Sequence, residues 1–219
     1  MSLAKSLISD GNFTRQIMQG DVLAAAEVFP ATVAGNAPTI TGAMLTATII
    51  QRTPSAAATD TLDTAANILA ALTAGPGLTG VQPGTSWRVR WYNTAAFAIT
   101  VTATANTGMS VAAPTVNASS VKDYLVTVVN GTPAKTTSAT TVNASAVISG
   151  VPAADLAALT VGMVVTSASA GQQGATILAV NLAAGTLTLS ANATSTNATA
   201  IAYTFSPVIS LQGLGQGLL

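Results

Sequence analysis

The sequence predicts a mainly β protein with four parts: an N-terminal arm (1–36), a β-sandwich or jelly-roll-like domain with one short helix (37–133), a second small β-sandwich or barrel (134–207), and a flexible C-terminal tail (208–219). Three observations carry this. Thr alternates with aliphatic residues in several stretches, the two-residue period of a half-buried strand. One stretch alone, near residues 61–73, has the spacing of an amphipathic helix. Beyond Thr136 the composition shifts, with Asp155 the only charged residue up to Leu219, which marks a second unit after a Thr/Ser-rich linker near 132–140.

Taken in order, residues 1–36 scatter Ile8, Phe13, Ile17, Met18 and Phe29 among a few charges before Pro30 and the Gly35-Asn36 turn signal, and read as an extended arm with one short helix. Residues 38–52 alternate Thr with aliphatics and read as a strand that Gly42 bulges or breaks. Thr59-Asp60-Thr61 reads as the cap of a helix that lines Leu62, Ala66, Leu69 and Leu72 on one face, and Gly75-Pro76-Gly77 ends it. Residues 87–92 and 97–102 read as strands paired through a connection at Asn93-Thr94. In the first of these, Trp87, Val89 and Trp91 share one face and Arg88 and Arg90 the other. Two more strands are expected at 109–116 and 121–129, ended by the Asn130-Gly131 turn. The second unit offers strands at 141–148, 162–166, 175–181, 186–190 and 200–205, with at most two helical turns in 152–159. From Leu211 the chain carries three glycines among spaced Leu residues, which reads as a tail that is flexible alone and docks on a neighbour.

Composition restricts function. The chain has no His, no Cys, and 6% charged residues, against about 25% in an ordinary soluble domain. His-based triads, thiolate chemistry and disulfides are therefore excluded. The basic residues are dispersed and the formal net charge is zero, so no stripe exists to neutralise phosphates, and nucleic acid is not an expected partner. The mean hydropathy is +0.55, yet Gly, Pro, Ser, Thr or Asn breaks every apolar run before it could span a bilayer, and no membrane partner is expected. Near-zero charge also promotes association, which points to a protein that lives in an assembly.

Each candidate site has a plain alternative. Asp60 and Asp63 form the nearest acidic pair, and capping of the helix start accounts for them. A Ser-Lys dyad with Lys5, Lys122 or Lys135 is formally possible, but no nucleophile-elbow pattern accompanies it. The acids Asp10, Asp21, Glu27, Asp60, Asp63, Asp123 and Asp155 offer no pair with glycosidase character. No catalytic, cofactor or metal residue is expected. Arg88 and Arg90, beside Trp87, Trp91 and Tyr92, form the one basic and aromatic concentration. Because alternation separates the two Trp from the two Arg, core Trp with outward Arg at a subunit contact is favoured over a stacking platform.

Two stretches resemble a known family. The order Thr59-Asp60-Thr61-Leu62-Asp63-Thr64-Ala65-Ala66-Asn67-Ile68-Leu69-Ala70-Ala71-Leu72, then Gly84-Thr85-Ser86-Trp87-Arg88-Val89-Arg90-Trp91-Tyr92-Asn93-Thr94, then the Thr/Val strands to Gly108 and Ser119-Ser120-Val121-Lys122-Asp123-Tyr124-Leu125-Val126-Thr127-Val128-Val129-Asn130, resembles a unit of virion structural proteins of tailed bacteriophages. The run from Val161 through Gly174-Ala175-Thr176-Ile177 to Gly185-Thr186-Leu187-Thr188-Leu189-Ser190 is similar to the Ala/Thr/Gly-rich modules of phage head-decoration and tail proteins. Together they cover about residues 59–205. The resemblance implies a non-enzymatic shell or tail component on the capsid exterior, assembled in the bacterial host cytoplasm. The leading expectation is a capsid decoration or cement protein whose partners are the major capsid protein and itself, as a dimer or trimer. The alternative is a tail or fibre-associated adhesin whose residues 140–205 touch host carbohydrate. The expected interface residues are Phe13, Ile17, Phe29, Arg88, Arg90, Leu211 and Leu214.

Overall fold

Inward and outward side chains alternate strictly along residues 86–93. Trp87, Val89, Trp91 and Asn93 are buried, whereas Arg88, Arg90 and Tyr92 face solvent. The computed structural model describes residues 7–9, 12–14, 22–23, 31–46, 49–74, 81–168 and 171–219. The first unit contains β1 (Leu7–Ser9), β2 (Asn12–Thr14), β3 (Val22–Leu23), β4 (Ala31–Val33), β5 (Thr39–Ile40), α1 (Gly42–Thr46), β6 (Ile49–Arg52), β7 (Ala58–Leu62) and α2 (Ala65–Ala74). It continues with β8 (Ser86–Asn93), β9 (Ile99–Ala103), β10 (Met109–Ala112), β11 (Thr115–Val116) and β12 (Ser120–Asn130). The second unit contains β13 (Lys135–Thr141), β14 (Val147–Ser149), α3 (Ala153–Leu156), β15 (Val164–Ala168), β16 (Ile177–Asn181), β17 (Thr186–Leu189) and β18 (Asn197–Ser206). The last strand, β19 (Val208–Leu218), returns to the first unit. The protein is mainly β, with several sheets, as expected.

Among the described residues, two sheets enclose the core of the first unit, and β1 with β2 forms a separate two-stranded ribbon. One runs β10-β19-β12-β8-β6-β4, with β3 also on β8, and the other runs β11-β9-β7-β5. Their inner faces, with α1 and α2, enclose one cluster that includes Ile40, Leu45, Ile50, Leu62, Ile68, Trp87, Trp91, Ile99, Val101, Tyr124, Val126 and Ile209. Parallel pairing sets this sandwich apart from a jelly roll: β4, β6 and β8 run parallel in the larger sheet, and β5, β7 and β9 in the smaller. Each of these strands crosses to the opposite sheet through an arch of equal length, at residues 34–38, 53–57 and 94–98. The arches stack through backbone bonds from Thr59 N–H to Asn36 O (2.8 Å), Thr94 N–H to Arg52 O (3.1 Å) and Ala58 N–H to Ala98 O (3.1 Å).

The repeat extends into the helices. Thr41 Oγ1 accepts from Met44 N–H and Thr64 Oγ1 from Asn67 N–H, at 3.3 and 3.2 Å, so the same N-cap opens α1 and α2. The two helices meet at Gly42, where a Cβ would lie 2.7 Å from Asn67 O and 2.9 Å from the Ala71 Cβ.

Several expectations change. The helix begins at Ala65 rather than near 61, because Ala58, Asp60 and Leu62 alternate inward as a strand and the cap falls to Thr64. The stretch 38–52 is two short strands around α1, so Gly42 does break it. Asn93-Thr94 begins an arch between sheets rather than a hairpin, since β8 and β9 lie in different sheets. Part of the expected linker near 132–140 is β13, whose Thr137, Ala139 and Thr141 are buried. Within 1–36, β1 and β2 pair antiparallel, while β3 and β4 pair parallel with β8 and β6. The short helix expected there falls outside the described residues or their assigned elements.

The tail is the largest correction. Residues 208–218 form β19, which pairs antiparallel with β12 over nearly its whole length and parallel with β10. Ile209 and Leu211 fill the core at 0% and 1% exposure. Glycines that suggested flexibility instead permit close approach: a Cβ on Gly213 would meet the Lys122 Cε at 2.8 Å and the Ala113 Cβ at 3.0 Å. The second unit is thus an insertion between β12 and β19.

That second unit is one sheet, ordered β15-β18-β13-β14-β17-β16, around Ile148, Leu156, Met163, Ile177, Leu187, Tyr203 and Phe205. Its two edges meet at the Val164↔Thr176 bridge, with Val165 N–H on Ala175 O (2.7 Å) and Ile177 N–H on Met163 O (2.9 Å), which closes the sheet into a small barrel. Inside, the Tyr203 hydroxyl donates to Gln172 Oε1 at 2.6 Å, and burial pushes that phenol up to about 12. Asn130 Nδ2 ties the units together through Thr160 Oγ1 (3.1 Å) and Val161 O (3.0 Å).

Candidate interaction surface

The outward face of the larger sheet is built by register. Arg90 lies opposite Asp123, Arg88 opposite Leu125 and Tyr92 opposite Val121, with Ile49 beside Arg90 on β6. Arg90 Nε and Nη2 donate to the two Asp123 oxygens at 2.7 and 3.1 Å, a forked arrangement that fixes both side chains. Arg88 reaches the same carboxylate only at 3.6 Å, and its side chain is 61% exposed. Its remaining donors face solvent. The Arg90 hydrogen bond is the main reason the Asp123 carboxyl is held below the usual carboxylate range. Partial burial opposes it, and the charges of Arg90 and Arg88 add to it. Asp123 in turn raises Arg90 through the same bond.

Beneath this face lies a charged layer that sequence reasoning missed. Asp60, expected as a cap, is fully buried with Arg52. Arg52 Nε donates to both Asp60 oxygens (3.0 and 2.9 Å), its Nη2 lies 2.8 Å from Asp60 Oδ1, and Trp91 Nε1 donates to Asp60 Oδ2 at 3.0 Å. Arg52 also donates to the carbonyls of Val33 and, at 2.8 Å, Gly35. One guanidinium therefore fastens the first arch to the second. A Val33–Arg52–Asn93 ladder carries this position across the stack, and Asn93 Nδ2 closes the third arch on Phe97 O and Asn117 O, each at 2.8 Å. The available signal was the parity of Arg52 and Asp60 with the apolar positions of their strands. Asp63, by contrast, does serve the helix start, accepting from Thr64 N–H at 2.8 Å and Asn67 Nδ2 at 2.7 Å.

Compared with protein-family models, curated proteins and solved structures, the chain gives no match.

Of the expected interface residues, Arg88 and Arg90 come together on one face and Leu214 is half exposed. Leu211 is a core residue, buried against the sheet interior, and cannot serve as a free anchor. Phe13 belongs to β2, with its side chain outside the description, and Ile17 and Phe29 lie outside the described residues. Among the described residues no group of three or more His, Cys, Asp or Glu side chains gathers at a cation-holding distance, and no helix is long and apolar enough to cross a membrane. Lys122 is buried, with Nζ on the carbonyls of Ala113 (2.5 Å) and Thr115 (2.6 Å), and burial lowers it. In the second unit, Asp155 accepts from Lys135 Nζ at 2.6 Å and from Thr137 Oγ1 at 2.7 Å, bonds that hold its carboxyl low.

Proposed function

We propose that the protein is a structural component of a tailed-phage particle: a capsid decoration or cement protein that binds the outside of the head and bridges neighbouring major capsid subunits. It self-associates as a dimer or trimer, carries no catalytic, cofactor or metal site, and belongs to the capsid exterior. The observation that carries the reading is the Arg88–Arg90–Asp123 cluster on the outward face of the larger sheet, with both arginines exposed. Asp123 pins Arg90, whereas Arg88 keeps donors for a carboxylate on a partner, and Tyr92, Val121 and Leu125 supply apolar surface around it. Such a mix of an Arg anchor and aromatic or aliphatic contact is what protein interfaces use. The sequence resemblance over residues 59–205 supports the same reading.

The test is attachment of purified protein to heads that lack it, followed by co-sedimentation. Arg88→Glu leaves the fold intact and is expected to weaken attachment by at least about tenfold, since an interfacial charge reversal costs more than ~1.4 kcal/mol. Unchanged attachment would remove this face from the account. A second reading, a tail or fibre-associated adhesin, is favoured by the exposed Leu178, Leu182, Val142 and Val147 of the inserted barrel, surface suited to contact away from the shell.

A further inference from the structure

The outer edge of the larger sheet is open along the end of β19. β10 covers β19 only from Ile209 to Gln212. From there the 113–115 segment passes beneath, where Lys122 Nζ and the Tyr124 hydroxyl bind its carbonyls. Leu214 is the extra residue of a β-bulge opposite Asp123–Tyr124, residues 215–218 continue in register against β12, and among the described residues no strand pairs with 214–218 on the other side. Leu219 N–H donates to Ser119 O on the β12 side. By the two-residue alternation of a strand, Gly217 and Gly215 also address β12, and Gln216 and Leu218 turn their N–H and C=O groups to the open side.

Natural edges are blunted by Lys, Pro or a covering element. This edge, Leu214-Gly215-Gln216-Gly217-Leu218, has no charge and no proline. Its two glycines are not explained by the chain's own fold. Neither is among the positive-φ residues, and a Cβ built on either meets nothing within 4 Å. Glycine inside a strand weakens it, and commonly marks a place where another backbone approaches closely. Leu214 and Leu218 are 49% and 88% exposed.

The order of these residues identifies the occupant. The segment reads the same in both directions about Gln216, so two copies laid antiparallel place Leu214 opposite Leu218 of the second copy, Gly215 opposite Gly217, and Gln216 opposite itself. We propose that residues 214–218 pair with the same edge of a second copy of this chain about a two-fold axis through Gln216, joining two seven-stranded sheets into one. With Gln216 facing outward, the axial pair exchanges both N–H···O bonds. Self-complementarity about a two-fold is the requirement for an isologous dimer, and the absence of charge leaves nothing to repel a like edge. The inference deepens the self-association part of the proposed function and is independent of the virion reading, because it is tested in solution without shells.

The experiment measures the mass of the purified full-length chain by light scattering across a concentration series, beside its thermal melt. The wild type is expected at twice 21.6 kDa. The double variant L214K/L218K sets Lys against Lys at both ends and is expected to be monomeric with a cooperative melt that no longer depends on concentration, whereas L214K/L218E sets Lys against Glu and restores the dimer. Gln216→Pro, which deletes an N–H aimed at the open side, is expected to be monomeric too and replaces the Lys variant should that fail to fold. A wild type that stays monomeric overturns the proposal and leaves the edge to a strand of a different protein. A dimer or trimer indifferent to these substitutions moves self-association to another surface, and a monomeric L214K/L218E overturns the register.

Discussion

Asp60→Asn probes the buried charge that fastens the stacked arches. The substitution keeps size and shape but leaves the Arg52 guanidinium, fully buried, with no counter-charge, one amide oxygen in place of two carboxylate oxygens, and the carbonyls of Val33 and Gly35. Its three short contacts to the carboxylate, at 2.8–3.0 Å, lose their charge, and Trp91 Nε1 loses an ionised acceptor. Removing one partner of a buried ion pair costs about 3–5 kcal/mol. Trp91→Phe removes the indole hydrogen bond to a charged group, about 1.5–3 kcal/mol, and also leaves a buried void, so its cost is expected to exceed that range. With a urea dependence of about 2 kcal/mol/M, the Asp60→Asn midpoint falls by about 2 M. Both Trp residues lie in the first unit, so tryptophan fluorescence during urea unfolding reads that unit without interference from the barrel. A double replacement by Met at 52 and Leu at 60 is expected to recover part of the loss, but not all, because the two arch carbonyls then lack a donor. A midpoint for Asp60→Asn within about 0.3 M of wild type corresponds to less than ~1 kcal/mol and would show that the buried pair does not fasten the arches.

Two further outcomes are expected. Gly42→Ala forces a methyl to within 3.0 Å of three α2 atoms and is expected to destabilise the first unit by about 1–3 kcal/mol, whereas Gly215→Ala, facing open space, leaves the monomer's urea midpoint nearly unchanged. Asp123 has a folded value below its unfolded one, so its contribution is complete above the unfolded carboxylate range near ~3.9 and is lost as pH falls through the depressed value. Replacement by Asn is therefore expected to flatten the acid limb of a stability–pH profile below about pH 4 and leave its slope near neutrality unchanged.

The sequence made the mainly β class legible because alternation survives in β8 and β12, where every second residue is buried. It also placed Trp87 and Trp91 inside and Arg88 and Arg90 outside. The arch stack was harder to read, since a strand that crosses between sheets carries the same alternation as one that turns back in a hairpin. A signal did exist: a Thr opens each helix, Thr41 before α1 and Thr64 before α2, each one or two residues beyond a short strand. β19 misled for a physical reason. Glycine content reads as flexibility in an isolated chain, yet between β12 and the 113–115 segment the same glycine is what lets the strand approach. Asp60 was misassigned because a carboxylate ahead of a helical pattern resembles a cap, and only the long-range register of Arg52 and Trp91 gives it partners.

A proposed head-lattice component is separated from other placements by the copy number of this chain relative to the major capsid protein. Quantitative mass spectrometry of purified particles from the proposed phage source gives that number. The expected ratio is near one, or a fixed simple fraction of it. A ratio of a few per cent would assign the chain to the tail, and its absence from the particle would contradict the virion reading altogether.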